Sequence, residues 1–351
     1  MAHEFDTGFT VRTPAWHGLG LTLADYPDTW AEARQYAGLL WEPAEEPIYR
    51  KVRGVFGPDD ELPPGAFRVR GGSVMVPMTD HKLIKRDDTG AALSVQRTDY
   101  PIIAHRTMGE VLDDVAAEAG ASFRFETAGS LQGGRKVWAL ARLDEPFTIP
   151  GDTSATFPYL AMQNAHDGQG SCRIIPTMVR IVCANTWRAA DEQADRHGFE
   201  VVIRHVGNVA ERIEDAKLTL RRARAAATAH AATMTDLAGY RYDDAVLATF
   251  LETLFPTPEG GTPRLIEDRA SKRQLCRAML TESPTLAELP PTAYKLVQMA
   301  GEYVDHLRKL PADPERRADV YLRRTMFHEG DGANVKAGTI NLARELCAAG
   351  V

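Results

Sequence analysis

The amino-acid sequence predicts an α+β protein: an antiparallel β-hairpin sheet with helices on one face, followed by a helical C-terminal half. Three observations predict it. Short apolar runs punctuated by Gly and Pro fill the first 205 residues. Two Gly-rich connectors fall between pairs of such runs, and apolar residues at helical spacing, separated by prolines, fill the remainder. The chain accordingly divides into a β-rich core domain at 1–205, with its hairpin unit at 107–205, and a helical region at 206–351.

The elements follow in order. A helix is expected over 28–39, where Trp30, Ala33 and Ala37 recur at helical spacing. Short strands are expected at 48–52, 67–70, 73–78 and 91–95. Thr107 and Glu110 have the spacing of a capping box, opening a helix that carries Val111, Leu112, Val115 and Ala119 and stops at Gly120. Strands at 122–127 and 136–143 flank the connector Gly129-Ser-Leu-Gln-Gly-Gly134. Strands at 157–164 and 172–183 flank His166-Asp-Gly-Gln-Gly170, where Asp-Gly supplies the positive-φ positions of a tight turn. A short helix over 185–194 and a strand at 199–204 complete the unit. Asn208 with Glu211 caps a long helix to about residue 237, with Val209, Ile213, Ala216, Leu220, Ala223 and Ala227 as its buried stripe. Further helices are expected at 243–255, 264–280, 292–310, 315–327 and 333–348.

Composition bounds the function. At 351 residues, 44% hydrophobic and 25% charged, the chain is ordinary for a globular protein and unlike a disordered one. No apolar run is long enough to span a bilayer, and the polar, acidic N-terminus does not read as a signal peptide. Four dispersed cysteines without a CxxC pair read as reduced thiols, so the expected compartment is the cytoplasm. A net charge of −7 speaks against coating duplex DNA by bulk charge and leaves a local basic groove open.

No Walker loop, no GxGxxG after a strand, no HExxH and no GxSxG occurs, so no catalytic residue, metal or cofactor is expected. Trp16-His-Gly-Leu-Gly20 lacks phosphate-cradle spacing and reads as a buried N-terminal turn. His166-Asp167 is either a metal-ligand pair or part of a hairpin turn, and its place between two strands favours the turn. His328-Glu329 near Asp331 has no second histidine at ligand spacing, and Cys183 before Asn185 is either a nucleophile or a buried, inert thiol, its place at the end of an apolar strand favouring the latter.

Basic residues carry the remaining signal. Lys217, Arg221 and Arg224 recur at i, i+4, i+7 opposite the apolar stripe of the long helix, as a solvated face or a phosphate contact. Arg135 and Lys136 enter one hairpin strand, and Arg173 and Arg180 lie in another. Collected on one face, these seven residues would track a phosphate backbone. Trp138, Tyr159 and Trp187 are either stacking platforms or core residues.

The motifs Pro14-Ala-Trp-His-Gly-Leu-Gly20, Glu126-Thr-Ala-Gly-Ser-Leu-Gln-Gly-Gly134, Val137-Trp-Ala-Leu-Ala141, Asn164-Ala-His-Asp-Gly-Gln-Gly-Ser171 and Arg180-Ile-Val-Cys-Ala-Asn-Thr186 run in order. With Glu302-Tyr-Val-Asp-His306, they resemble the phage/plasmid-like protein family, numbered 932 among domains of unknown function. The resemblance implies a setting of phages, plasmids and mobile elements, and no activity. A looser, architectural likeness is to single-strand annealing proteins of the Red-beta and Rad superfamily, in which rings or filaments hold single-stranded DNA in a basic groove. It implies a protein that binds and anneals single-stranded DNA in homologous recombination, as a homo-oligomer away from membranes. Two other expectations stand beside it: an enzyme acting on nucleic acid or nucleotides around His166 and Asp167, and a host-interaction protein docking through its helical half.

Overall fold

A computed structural model of the chain describes residues 5–11, 20–119, 123–143, 146–180, 185–188, 201–207, 223–312, 320 and 331–349. The expected turn at Trp16, the thiol of Cys183, the cap at Asn208, His328-Glu329 and the helix at 315–327 (residue 320 apart) lie outside them.

The fold is α+β with antiparallel sheets and a helical C-terminal region. In chain order the first half contains β1 (Phe5–Val11), β2 (Leu21–Leu23), α1 (Trp30–Ala37), β3 (Pro43–Val52), β4 (Phe67–Val69), β5 (Ser73–Arg86), β6 (Ala92–Arg97) and α2 (His105–Ala119). It continues with β7 (Phe123–Leu131), β8 (Lys136–Leu143), β9 (Thr156–Ala165), β10 (Cys172–Arg180), β11 (Asn185–Arg188) and β12 (Val201–Ile203). The main sheet runs β11-β10-β9-β8-β7-β1-β2, with β12 also pairing β10, and only the β1–β2 pair is parallel. A smaller sheet is ordered β3-β5-β4, with β6 on the proximal part of β5.

Alternation along the strands gives the main sheet two faces. Val137, Ala139, Leu160, Met162, Cys172 and Ile174 face a core closed by α1 and α2. Leu131, Trp138, Leu140, Tyr159, Ala161 and Ile175 form a cluster on the other face, with Phe5 and Phe157 against it. Helix α1 is bounded as its sequence dictates: the Thr29 side chain accepts from Glu32 N, and Gly38 takes the left-handed conformation at φ 69°. Trp30 then lies across Gly109 of α2, where any Cβ would meet the indole at 1.8 Å, and its Nε1 donates to the His105 carbonyl at 2.8 Å. Burying such a ring contributes about 2 kcal/mol, and the glycine is what lets the two helices approach.

Helix α2 corrects one expectation. It begins at His105, so Thr107 lies inside it and does not cap it. The cap comes instead from Glu42, whose carboxylate accepts from His105 N at 2.6 Å and Arg106 N at 3.1 Å. A carboxylate there also meets the positive end of the helix dipole. A second correction concerns the first Gly-rich connector. Gly129, Ser130 and Leu131 belong to β7, because β1 pairs alongside them and leaves only residues 132–135 as the turn. Gly129 is required by contact, since a Cβ would sit 2.3 Å from the Thr7 carbonyl oxygen and 2.5 Å from Trp138. A third correction is residues 185–188, expected to start a helix; they form β11, antiparallel to β10. The open edge of β10 outweighs local propensity there.

The second half contains α3 (Ala223–Gly239), α4 (Asp244–Leu254), α5 (Pro263–Glu282), α6 (Ala293–Glu302) and α7 (Asp331–Ala349). Asp243 caps α4 by accepting from Ala245 N and Val246 N, and Thr262 caps α5 ahead of Pro263 at its first turn. Helix α6 is buried from Ala293 to Gly301, the pattern of a central helix. It does not continue to residue 310 as expected: Tyr303–Leu307 form a wide turn closed by Arg308 N donating to the Tyr303 carbonyl at 2.8 Å. That turn buries Asp305 against Lys336 of α7, at 2.7 and 2.8 Å. The helical core also takes in Ile149 and Met178 from the sheet half. No helix among the described residues is long and apolar enough to cross a membrane.

Candidate nucleic-acid interface

The hairpin turns bring three of the seven nominated cations to one end of the main sheet. Arg135 follows the β7–β8 turn and is exposed; its carbonyl accepts from His166 N at 2.7 Å. Lys136, half-buried, pairs with Ala165, one pleat beyond the row Trp138–Gln163–Arg173 that crosses β8, β9 and β10. Lys136 and Arg173 therefore share a face, about 12 Å apart at their Cα atoms by strand spacing. Arg173 pairs also with Val202 of β12, which carries Arg204, exposed, just past its end. Sequence reasoning missed Arg204 because only the β10–β12 pairing brings it here.

The other nominated residues are not gathered at this end. Arg180 pairs with Thr156 at the far end of β10, and its side chain is outside the described set. Arg224 lies in the first turn of α3, its side chain likewise outside, and Lys217 and Arg221 lie wholly outside the described residues. Trp138 and Tyr159 are 1% and 2% exposed, so neither is a stacking platform. Trp138 packs against Phe5, with ring centroids 6.1 Å apart, and Tyr159 donates its hydroxyl to Glu126 at 3.0 Å. The side chain of Trp187 is outside the described residues.

The β9–β10 turn is held from beneath by buried histidines. Asp167 caps the turn, its Oδ1 accepting from Gln169 N at 2.8 Å, and Gly168 at φ 75° makes the bend. His166 is buried, with Nε2 3.0 Å from Nε2 of His105. One ring must donate and the other accept, so both cannot be cationic in this bond. Asn164 accepts from His205 Nε2 at 3.1 Å and donates to the Ile103 carbonyl at 3.0 Å. Tyr100 stacks on His205 at 4.7 Å, and its hydroxyl meets the Ala165 carbonyl at 3.3 Å. Trp41 stands edge-on to His105 at 4.2 Å, with the Arg86 guanidinium over the indole, 4.3 Å from the ring centroid.

Burial holds His105 well below the usual imidazole range, with His166 adding to the effect. Burial, then His205, pushes His166 down to about 3. Burial also lowers His205, against the pull of the Pro101 carbonyl and Asp167. His105 and His166 are therefore neutral at neutral pH, while His205 sets both ring nitrogens against oxygen acceptors, the Pro101 carbonyl at 3.0 Å and Asn164 Oδ1 at 3.1 Å. The network ties the start of α2, the end of β9 and the end of β12 beneath the basic rim. His105 and His205 carry no local sequence signal, being 61 and 39 positions from His166. No group of three or more His, Cys, Asp or Glu that could hold a metal occurs among the described residues.

No curated protein and no solved structure matches the chain. Residues 92–336 match the family described as "Domain of unknown function (DUF932)", a stretch from the start of β6 into α7. Spanning well over half of the sequence and taking in the hairpin sheet, its basic end and the histidine network, that match makes this chain a member of the DUF932 family.

Proposed function

We propose that this protein binds single-stranded DNA and anneals complementary strands, serving homologous recombination of a phage or other mobile element in the cytoplasm. The observation that carries the proposal is the convergence of Arg135, Lys136 and Arg173, with Arg204 beside them, at one end of an antiparallel sheet. In a chain of net charge −7, affinity for a polyanion has to come from such a local cluster. With Trp138 and Tyr159 buried, contact at this rim is to phosphates, and bases would be left free to pair. A long strand exceeds a rim of this size, so many copies would act together as a ring or filament.

The enzyme alternative finds less support. His166 is buried and bonded to His105, and Asp167 serves the turn.

Fluorescence anisotropy with a labelled oligonucleotide across a salt series tests the proposal. The logarithmic slope should be about −0.7 per phosphate neutralised, and changing Arg135, Lys136 and Arg173 to Gln should flatten it by about two units. Light scattering should find a many-subunit particle with oligonucleotide. Absence of binding by the unchanged protein at low salt, or a strict monomer under all conditions, would end the proposal.

A further inference from the structure

Strand β5 is long enough to serve two environments, and the cations along the small sheet are treated differently in each. In its proximal part Lys82 pairs with Glu45 at 2.5 Å, Lys85 with Glu46, and Arg86 with Asp88 and Asp6 at 2.8 and 3.1 Å. Arg97 on the neighbouring β6 pairs with Asp99 at 3.3 Å. In the distal part, built from 49–52 of β3, β4 and 73–77 of β5, five cations are exposed: Arg50, Lys51, Arg53, Arg68 and Arg70. None of these five makes an ion pair among the described residues. Arg68 donates to a backbone carbonyl, that of Asp60, at 2.9 Å.

The distal part is an arm with one closed and one open face. Val74 and Val76 are buried on the face where Arg68 holds the 53–66 loop, and Arg50, paired with Val76, lies at the edge of that same face. On the other face Lys51 and Phe67 flank Met75, and Tyr49 meets Phe67 edge-on with centroids 5.2 Å apart. Phe67 is 47% exposed, whereas Phe9, Phe125, Trp138 and Tyr159 of the main sheet are buried. At the tip, Cβ atoms added to Gly54, Gly71 or Gly72 would meet nothing within 4 Å, so the arm ends clear of the rest of the described chain.

We infer that this arm is a second contact surface for single-stranded nucleic acid, its cations on phosphates and its Tyr49–Phe67 pair stacking on unpaired bases. The inference rests on the proposed function and adds to it a base-contacting element that the rim lacks. Exposed cations with no carboxylate partner among the described residues favour a polyanion, and half-exposed Phe67, on the same face as Lys51, favours one that offers π-faces. A paired duplex hides those faces, so the occupant is a single strand.

The test compares the unchanged protein, Tyr49→Ala/Phe67→Ala, and Arg50→Gln/Lys51→Gln/Arg53→Gln/Arg70→Gln, with circular dichroism to confirm folding. The probes are a labelled oligo-dT strand, an abasic strand of equal length, and a duplex. The aromatic variant should lose about tenfold in affinity for oligo-dT and nothing for the abasic strand. The charge variant should flatten the salt slope for oligo-dT by about three units. If the unchanged protein binds oligo-dT and both variants match it, the arm is not a contact surface and the rim proposal survives alone. Equal losses on oligo-dT and the abasic strand, or a duplex bound as tightly as the single strand, would also overturn the inference. No binding by the unchanged protein would fell the proposed function first, and the arm's role with it.

Discussion

The two halves of the molecule each bury polar groups in an apolar core, and they do it with opposite chemistry. The sheet half uses imidazoles and an amide: His105 meets His166, and Asn164 bridges His205 and the Ile103 carbonyl, while the Nδ1 atoms of His105 and His166 have no hydrogen-bond partner among the described residues. The helical half uses a full ion pair, Lys336 with Asp305, whose side chains are 3% and 0% exposed. A network of buried imidazoles changes with pH. A buried ion pair holds its geometry across a wide pH range but depends on both partners being present. The sheet half should therefore be the part of the molecule that senses acid, and the helical half the part least tolerant of a single charge removed.

The largest effect should come from breaking the ion pair. Asp305→Ala takes the carboxylate from the buried Lys336 ammonium and should cost about 3–5 kcal/mol, measured by denaturant unfolding. Replacing both residues by apolar ones of similar volume should recover most of that loss. A double variant as unstable as the single would mean that the pair does more than satisfy itself.

In the sheet half, Asn164→Ala removes the acceptor for His205 and the donor to the Ile103 carbonyl, and should cost about 2–3 kcal/mol in the same assay. A cost near zero would place the network outside the cooperative core.

The pH response comes next. The folded-state values of His105, His166 and His205 lie below that of a free imidazole, so the unfolded chain takes up the protons first. Stability from these groups is fully present above about pH 6.5 and is lost as pH falls toward the folded values, which for His166 is about 3. His105→Gln keeps a hydrogen-bonding group that cannot titrate. Between pH 6 and 5 it should reduce the loss of stability by up to about 1.4 kcal/mol per pH unit relative to the unchanged protein. Buried His230, pushed down to about 4 by its surroundings in the helical core, supplies the internal comparison: His230→Phe should give a smaller change than the histidine pair together.

The smallest effect on folding belongs to the arm. Arg50, Lys51, Arg53 and Arg70 are exposed and make no ion pair among the described residues, so changing all four to Gln should leave the melting temperature unchanged. A marked loss would show that they support the sheet.

Some of this was legible in advance because the determinants are local. Thr29 and Gly38 bound α1 through their own side chain and φ, and the Asp167-Gly168 turn fixes the β9–β10 hairpin. Asp243 and Thr262 cap α4 and α5 within three residues. Where the partner is distant, the same logic misleads. Thr107 has cap spacing, yet Glu42 occupies the helix start from 63 positions away. Residues 185–188 become a strand because β10 has an edge to fill. Arg135, Lys136 and Arg173 were visible as charges, but Arg204 joins them only through β12.

The sequence by itself determined the class of fold, the turn at Asp167-Gly168, most helix limits and the family, because each rests on contacts within a few residues or on motifs read in order. Only the tertiary structure decided which aromatics are buried, which histidines meet, and which cations lack a carboxylate among the described residues. Those outcomes depend on strand register and on which edges pair: Trp138 and Phe67 both sit in alternating strands, yet one is 1% and the other 47% exposed. Alternation assigns a side chain to a face of its strand, while only packing against distant elements decides whether that face is covered.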